Sequence, residues 1–256
     1  MTNLVLTPLP NIPIVHTCDD LVEIIWMGLA QAGIKLVDGD ILALAQKIIS
    51  KAEGRWVNLV TVQPTARAIS LAVDTEKDPR LIELILQESK AVLRTRPGTI
   101  IVEHRLGFVC ANAGIDHSNV AGEAKTDEDW VLLLPKDPDG SAQMMRQKLE
   151  DQSGAQLGVV IIDSHGRAWR QGVVGVAIGM AGLPGLVDMR GKSDLFGYNL
   201  RITMIGAADE LAAAASLVMG QADEATPIVH IRGFPYQLRE GSLKELLRPK
   251  DKDLFR

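Results

Sequence analysis

Three features of the chain predict an α+β fold. Amphipathic helical stretches recur at irregular intervals. Short apolar runs of strand length lie between them, and at least one is uniform enough to be buried on both faces. The two kinds of segment do not follow the regular strand–helix–strand order that a doubly wound parallel sheet requires.

Residues 4–15 alternate Leu, Pro and Ile, and read as an extended strand followed by a Pro-rich loop. CDDLVEIIWMGLAQAG (18–33) is an amphipathic helix. Asp19 and Asp20 supply the N-cap and first-turn acid, Leu21, Ile24, Ile25 and Leu29 share a face, and Gly33 stops it. DGDILALAQKIISKAEG reads as a turn, a buried strand over Ile41–Ala45 and a polar exit. Residues 79–93 carry Leu81, Ile82, Ile85 and Leu86 on one stripe, which predicts a second helix. TIIVEHRLGFVC reads as two short strands around a turn, and the acidic stretch 122–129 as a mobile loop. PKDPDGS is a sharp turn that ends at Ser141, the expected N-cap of a helix through Leu149. LGVVIIDSHGR is a strand buried on both faces that runs into a polar turn. Gly172, Gly175, Gly179 and Gly182 dot the run that follows, and imply a helix or strand packed closely through small residues. ADELAAAASLVMG is a helix capped near Asp209 and stopped at Gly220, and PIVHIRG is a last strand.

The 256 residues suffice for a substantial core, arranged as one domain over 1–256 or as two interleaved subdomains. A formal net charge of −5 argues against a general nucleic-acid binder, but leaves room for a local basic pocket that takes a phosphorylated small molecule. Aromatics make up only 4%, too few for single-strand stacking platforms. Cys18 and Cys110 form no CxxC pair and read as thiols in a reducing cytosol. No basic, apolar leader opens the chain, and no run approaches the roughly 18 apolar residues that cross a bilayer, so a cytoplasmic protein without a membrane partner is expected.

The standard catalytic signatures are absent. The chain has no GxxxxGK[ST], no GxGxxG turn, no HExxH and no GxSxG. Carboxylates at the ends of apolar runs draw attention instead. Asp163 closes GVVIID with Ser164 beside it, a pair suited to a hard cation such as Mg2+ or Mn2+. Asp116 lies in the turn-rich stretch NAGIDHSNV, where a lone Asp more often caps its own backbone. Lys51, Arg167 and Arg170 could face phosphate or carboxylate, though each alone is more often a solvated charge.

The segments IPIVHTCDDL, ISKAEGR, NAGIDHSNV, LLPKDPDGSA, IIDSHGRAWRQGVVGVAIGMAG, GKSDLFGYNL and MGQADEATPIVHIRG occur in this order over nearly the whole chain. Together they resemble the coenzyme F420-0:L-glutamate (γ-glutamyl) ligases. The resemblance implies a fold peculiar to that family, with mixed and antiparallel sheets, flanking helices and no P-loop, in a homodimer. It implies GTP as co-substrate, two divalent ions (Mg2+ or Mn2+) and K+ as a further cation. Its chemistry joins L-glutamate to the lactyl carboxylate of the deazaflavin F420-0 through an acyl phosphate, with release of GDP, and some members add further γ-linked glutamates.

Carried over by position, Asp116 and Asp163 match the metal carboxylates, while Ser164 and Gln221 match ligands of a second metal. Asp116, Asp163 and Lys51 are the expected catalytic set. Lys51 and Asn119 match nucleotide contacts, with Gln46 and Lys47 as a further contact. Ile12, Pro13, Ile14 and Val15 match one loop that wraps the nucleotide. Met219, Gly220, Gln221, Ala222, Asp223, Glu224, Ala225 and Thr226 match a second. Two positions depart from the family pattern: Cys18 stands for a Gly, and Gln46 with Lys47 for a small hydroxyl pair that bears on base or ribose contacts. A ligase for a different phospho-carboxylate acceptor and a non-catalytic nucleotide-binding relative are the competing readings.

Overall fold

The computed structural model of the chain describes residues 3–120 and 129–254. The predicted loop at 122–129 therefore falls outside the described residues except at its last position.

The elements run β1 (Val5–Pro8), α1 (Leu21–Gln31), β2 (Ile41–Ala45), α2 (Gln46–Ala52), β3 (Trp56–Asn58), α3 (Ala66–Thr75), α4 (Pro79–Gln87), β4 (Ser89–Arg96), β5 (Thr99–His104), β6 (Val109–Ala111), β7 (Trp130–Leu132), α5 (Pro138–Ser153), β8 (Gly158–Gly166), β9 (Val173–Ala181), β10 (Val187–Asp188), β11 (Met204–Ile205), α6 (Ala207–Met219) and β12 (Ile228–Arg232). This is the α+β fold expected. Its main sheet has the order β1-β12-β2-β8-β9, with β2 and β8 parallel and every other pair antiparallel.

Strand alternation explains how the main sheet is covered on both sides. Leu42, Leu44, Val159 and Ile161 point into a core shared with α1, α2 and α5, whereas Ile41, Ala43, Val160 and Ile162 point into a core shared with α6. A third core, around Ile82, Ile85, Ile100, Val102 and Val131, belongs to the segment from β3 to β7, which carries the β4-β5-β6 sheet and the β3-β7 pair. That segment sits inside the crossover that joins β2 to its parallel neighbour β8.

The glycine run after β8 is a strand, and small residues do serve its packing. β9 carries a bulge opposite the Ile161–Ile162 step. The extra residue turns Gly175 and Gly179 to opposite faces although they are an even number of residues apart. A Cβ on Gly175 would lie 2.6 Å from the Ala212 carbonyl oxygen of α6, and one on Gly179 would overlap Pro138 at the start of α5. Two helix acids cap the disturbed strand: Asp209 accepts from the Ala177 N–H at 3.0 Å, and Asp139 from Met180 N–H at 2.9 Å.

Several boundaries differ from the sequence expectation. The polar exit after β2 is helix α2. The helix expected over 79–93 ends at Gln87, because buried Glu88 turns the chain toward Arg55 and Arg105 and the next eight residues pair with β5. Helix α5 is capped by Asp137, which accepts from Gly140 N–H, so Ser141 lies one turn inside and donates to Glu53 instead. It also runs on to Ser153. Helix α6 starts at Ala207, ahead of Asp209.

Candidate active site

Strand β2 ends at Ala45, and α2 turns its first side chains, Gln46 and Lys47, toward the end of β8. Strand β8 carries Asp163, Ser164 and His165 beyond its buried stretch. Helix α6 ends at Met219, and the loop that leads from it to β12 closes the other side. Between these elements lies a cleft of about 510 Å3, within the usual range for a small-molecule site.

All of the positions expected to bind nucleotide line this one cleft. They are Ile12, Pro13, Ile14, Val15, Gln46, Lys47, Lys51, Asn119 and the whole stretch 219–226, with Asp163 and Ser164. Asp116 is not on the lining, but it lies directly behind it: Gln46 Nε2 donates to its Oδ2 at 2.6 Å, and Lys47 Nζ is 3.4 Å from its Oδ1. Arg167 and Arg170 are exposed and do not line the cleft.

Asp116 is held by its backbone. Its N–H donates to the Leu132 carbonyl and its carbonyl accepts from Leu132 N–H, at 3.0 and 2.9 Å. The turn before it carries three successive left-handed residues, Asn112, Ala113 and Gly114, of which two have side chains and so carry strain of order 1–3 kcal/mol each. Burial pushes the Asp116 carboxyl up to about 6; Lys47 opposes the shift, and the negative charge of Asp163 adds to it. Asn119, also left-handed, donates from Nδ2 to the Ala222 carbonyl at 3.0 Å and so ties this turn to the 219–226 loop.

Gln46 is held at both ends of its amide by protein partners. Buried Ser50 donates to its Oε1 at 2.9 Å, while its amide nitrogen grips Asp116. The sequence marked Gln46 only as a nucleotide contact. Lys47 and Lys51 lie one turn apart on α2 and both reach the cleft. Burial, then the charge of Lys47, lowers the Lys51 pKa, and among the described residues Lys51 makes no ion pair; its Nζ sits 5.6 Å from the Trp56 ring centroid. An anion entering the cleft would favour the charged form.

Alternation along β8 sends Asp163 and Ser164 to opposite faces of the sheet. Asp163 faces the Asp116 side. Ser164 faces the α6 side and donates from Oγ to Gln221 Oε1 at 2.9 Å. The four side chains that the family resemblance marks therefore fall in two groups, Asp116 with Asp163 on one face of β8 and Ser164 with Gln221 on the other. Among the described residues, no three His, Cys, Asp or Glu side chains converge as a metal cluster. Asp116, Asp163, Ser164 and Gln221 all offer oxygen atoms, the ligand type that hard cations take. His165, which the sequence did not single out, places Nε2 2.9 Å from Asp163 Oδ2. Its signal was available, since residues two apart on a strand share a face.

A family model described as F420-0:Gamma-glutamyl ligase matches residues 10–233. The chain belongs to that ligase family. It is 48% identical over 248 residues to the Coenzyme F420:L-glutamate ligase of Methanothermobacter thermautotrophicus, an alignment that covers 96% of each chain. Identity to the enzyme of the same name from Methanopyrus kandleri is 45%, over 97% of this chain and 96% of the relative. For the Archaeoglobus fulgidus protein of that name it is 39%, over 97% and 95%. Every residue of the candidate site lies inside the stretch that matches the ligase family.

Proposed function

We propose that the chain is a GTP-dependent ligase of F420 biosynthesis that joins L-glutamate to the lactyl carboxylate of coenzyme F420-0, and can extend the product by further γ-linked glutamates. The observation that carries this reading is the gathering of two lysines, an amide, two carboxylates and two wrapping loops around one nucleotide-sized cleft. The names of the relatives supply the acceptor and the amino acid.

Oxygen donors on both sides of β8 fit two divalent ions, Mg2+ or Mn2+, held by Asp116 with Asp163 and by Ser164 with Gln221. Such ions would neutralise phosphate oxygens and align them for in-line transfer. The chain's own residues do the rest. Lys47 and Lys51 set fixed positive charge beside the γ-phosphate, and the loops at 12–15 and 219–226 enclose the base and ribose. In the first step an acceptor carboxylate oxygen attacks the γ-phosphorus, the bond to the bridging oxygen breaks, and GDP departs. In the second, the glutamate amine attacks the carbonyl carbon of the acyl phosphate, loses a proton, and expels phosphate. Positioning and charge neutralisation are what this chemistry needs, so no protein nucleophile is required.

The test is an incubation of the protein with F420-0, GTP, Mn2+ and L-glutamate, followed by mass spectrometry. The expected product is heavier by one glutamyl residue, or by several, with GDP formed in step and no product in EDTA. An acceptor labelled with 18O in its carboxylate should pass one label to phosphate. No mass increment would exclude the acceptor, equal turnover with ATP would exclude the GTP requirement, and unlabelled phosphate would exclude the acyl phosphate.

Homodimer formation is part of the same proposal. The arm between β10 and β11 holds Leu195, Phe196 and Ile202 at 98%, 94% and 88% exposure, an apolar surface that a second copy would cover.

A further inference from the structure

We propose that His165 is a positioning residue: its imidazole occupies one carboxylate oxygen of Asp163, so that the other oxygen alone is presented to a divalent cation. This rests on the reading of Asp163 as a cation ligand.

Asp163 and His165 are two apart on β8 and so point to the same face. His165 Nε2 lies 2.9 Å from Asp163 Oδ2, and both side chains are almost wholly enclosed. An ionised carboxylate oxygen can only accept a hydrogen bond, so Nε2 carries the proton and donates. That bond fixes the carboxylate rotation and leaves Oδ1 without a donor from His165.

The ring that donates is itself held by a stack reaching into the core. Phe108 meets it at a centroid distance of 5.2 Å with the planes tilted by 52°. Phe108 in turn lies flat on His104, at 5.1 Å and 6°. His104 is completely buried, and its Nδ1 accepts from Leu106 N–H at 3.0 Å, which fixes the last ring in the row. The row begins at the β5–β6 turn and ends on the β8 carboxylate. It is therefore a support from one sheet to a side chain on another, and none of its rings lines the cleft.

A donor set this sparse depends on pre-orientation. With two carboxylates, one hydroxyl and one amide, no surplus ligand compensates for a carboxylate that swings. Asp116 has the same kind of support from Gln46, itself fixed by Ser50. Each carboxylate thus has one side-chain partner on its Oδ2.

The experiment titrates Mn2+ alone into the full-length protein by calorimetry, for wild type, His165→Phe, His165→Gln and Asp163→Asn, with unfolding temperatures measured alongside. His165→Phe keeps a ring against Phe108 but removes the donor, and should weaken Mn2+ binding by about 10- to 100-fold, the usual effect of losing an outer partner of a metal ligand. His165→Gln can return an N–H to the Nε2 position and should recover to within about threefold of wild type. If His165→Phe unfolds, His165→Met provides the donor-free variant, with the same expectation. Wild-type Mn2+ affinity in the donor-free variant, or no recovery in His165→Gln, overturns the proposal for His165. If Asp163→Asn also binds as wild type does, or if wild type takes up no Mn2+, the underlying reading of Asp163 fails too.

Discussion

Asp116 and Asp163 face the same region but are held in different ways. Asp116 is fixed through its backbone by Leu132 and through its side chain by Gln46 and Lys47. Asp163 sits on a rigid strand and has His165 alone on its carboxylate among the described residues. Replacing Asp163 by Asn removes an anionic ligand but little volume. Ligation should fall by more than about 100-fold, beyond what loss of an outer partner causes, while the far-UV spectrum and unfolding temperature stay near wild type. Near-normal turnover by Asp163→Asn would end its proposed role. At this scale the sequence was most informative where a motif fixes several residues at once. NAGIDHSNV and IIDSHGR marked Asp116, Asn119, Asp163 and Ser164, and all four gather at the cleft. The partners of those residues were not legible. Gln46 reaches Asp116 only because β2 and the β3–β7 segment come together in space, and His165 reaches Asp163 only once the strand has been assigned.

Among the elements, β9 makes the most exacting demand on sequence. Its two close approaches to helices, at Gly175 and Gly179, leave no room for a Cβ. Gly179→Val should destabilise the protein by about 3 kcal/mol or more through overpacking against Pro138. Gly166→Ala, on the same sheet with open space around it, should change stability by less than about 0.5 kcal/mol. Urea unfolding of the two variants gives the comparison; equal stability would mean that α5 shifts freely. The strands were readable because β2 is purely apolar, β8 opens on the apolar run Val159–Ile162, and β12 carries Ile228, Val229 and Ile231. Element ends were harder. Helix α4 and strand β4 join without a glycine or proline, and β4 carries two register irregularities that blur its period of two. Helix α3 turns mainly small residues inward, Ala68, Ala72 and Thr75, so its stripe is faint.

The whole molecule is tied at the main sheet by a charge cluster around a buried carboxylate, with Arg232 reaching it from the surface. Asp40, with no exposed surface, is bound by Arg232 through two bonds of 2.8 and 2.7 Å and lies 2.9 Å from His230 Nε2. Burial alone would raise its pKa, but Arg232, His230 and the Val37 N–H together hold it at about 2. A depressed carboxyl stabilises the fold above its unfolded value of about 3.9, and that contribution disappears as pH falls toward 2. Roughly 2 kcal/mol should be lost across that window. Wild type and Asp40→Asn, compared by urea unfolding between pH 5 and 2, should differ in slope by this amount; parallel curves would refute it. Assembly provides a second check. Leu195→Asp with Phe196→Asp should convert the expected dimer to monomer in light scattering, and an unchanged mass would remove the β10–β11 arm from the interface. The crossover between β2 and β8 also sets an order of events during synthesis. On the ribosome, β1 and β2 emerge first, yet their partners β8 and β12 leave the exit tunnel only after about a hundred further residues or more. The β3–β7 segment, whose partners are nearby in sequence, can close in the meantime. Asp116 thus belongs to the part of the chain that can settle early, whereas the 219–226 loop is made almost last. The nascent protein keeps two apolar strands waiting until its cleft is nearly complete.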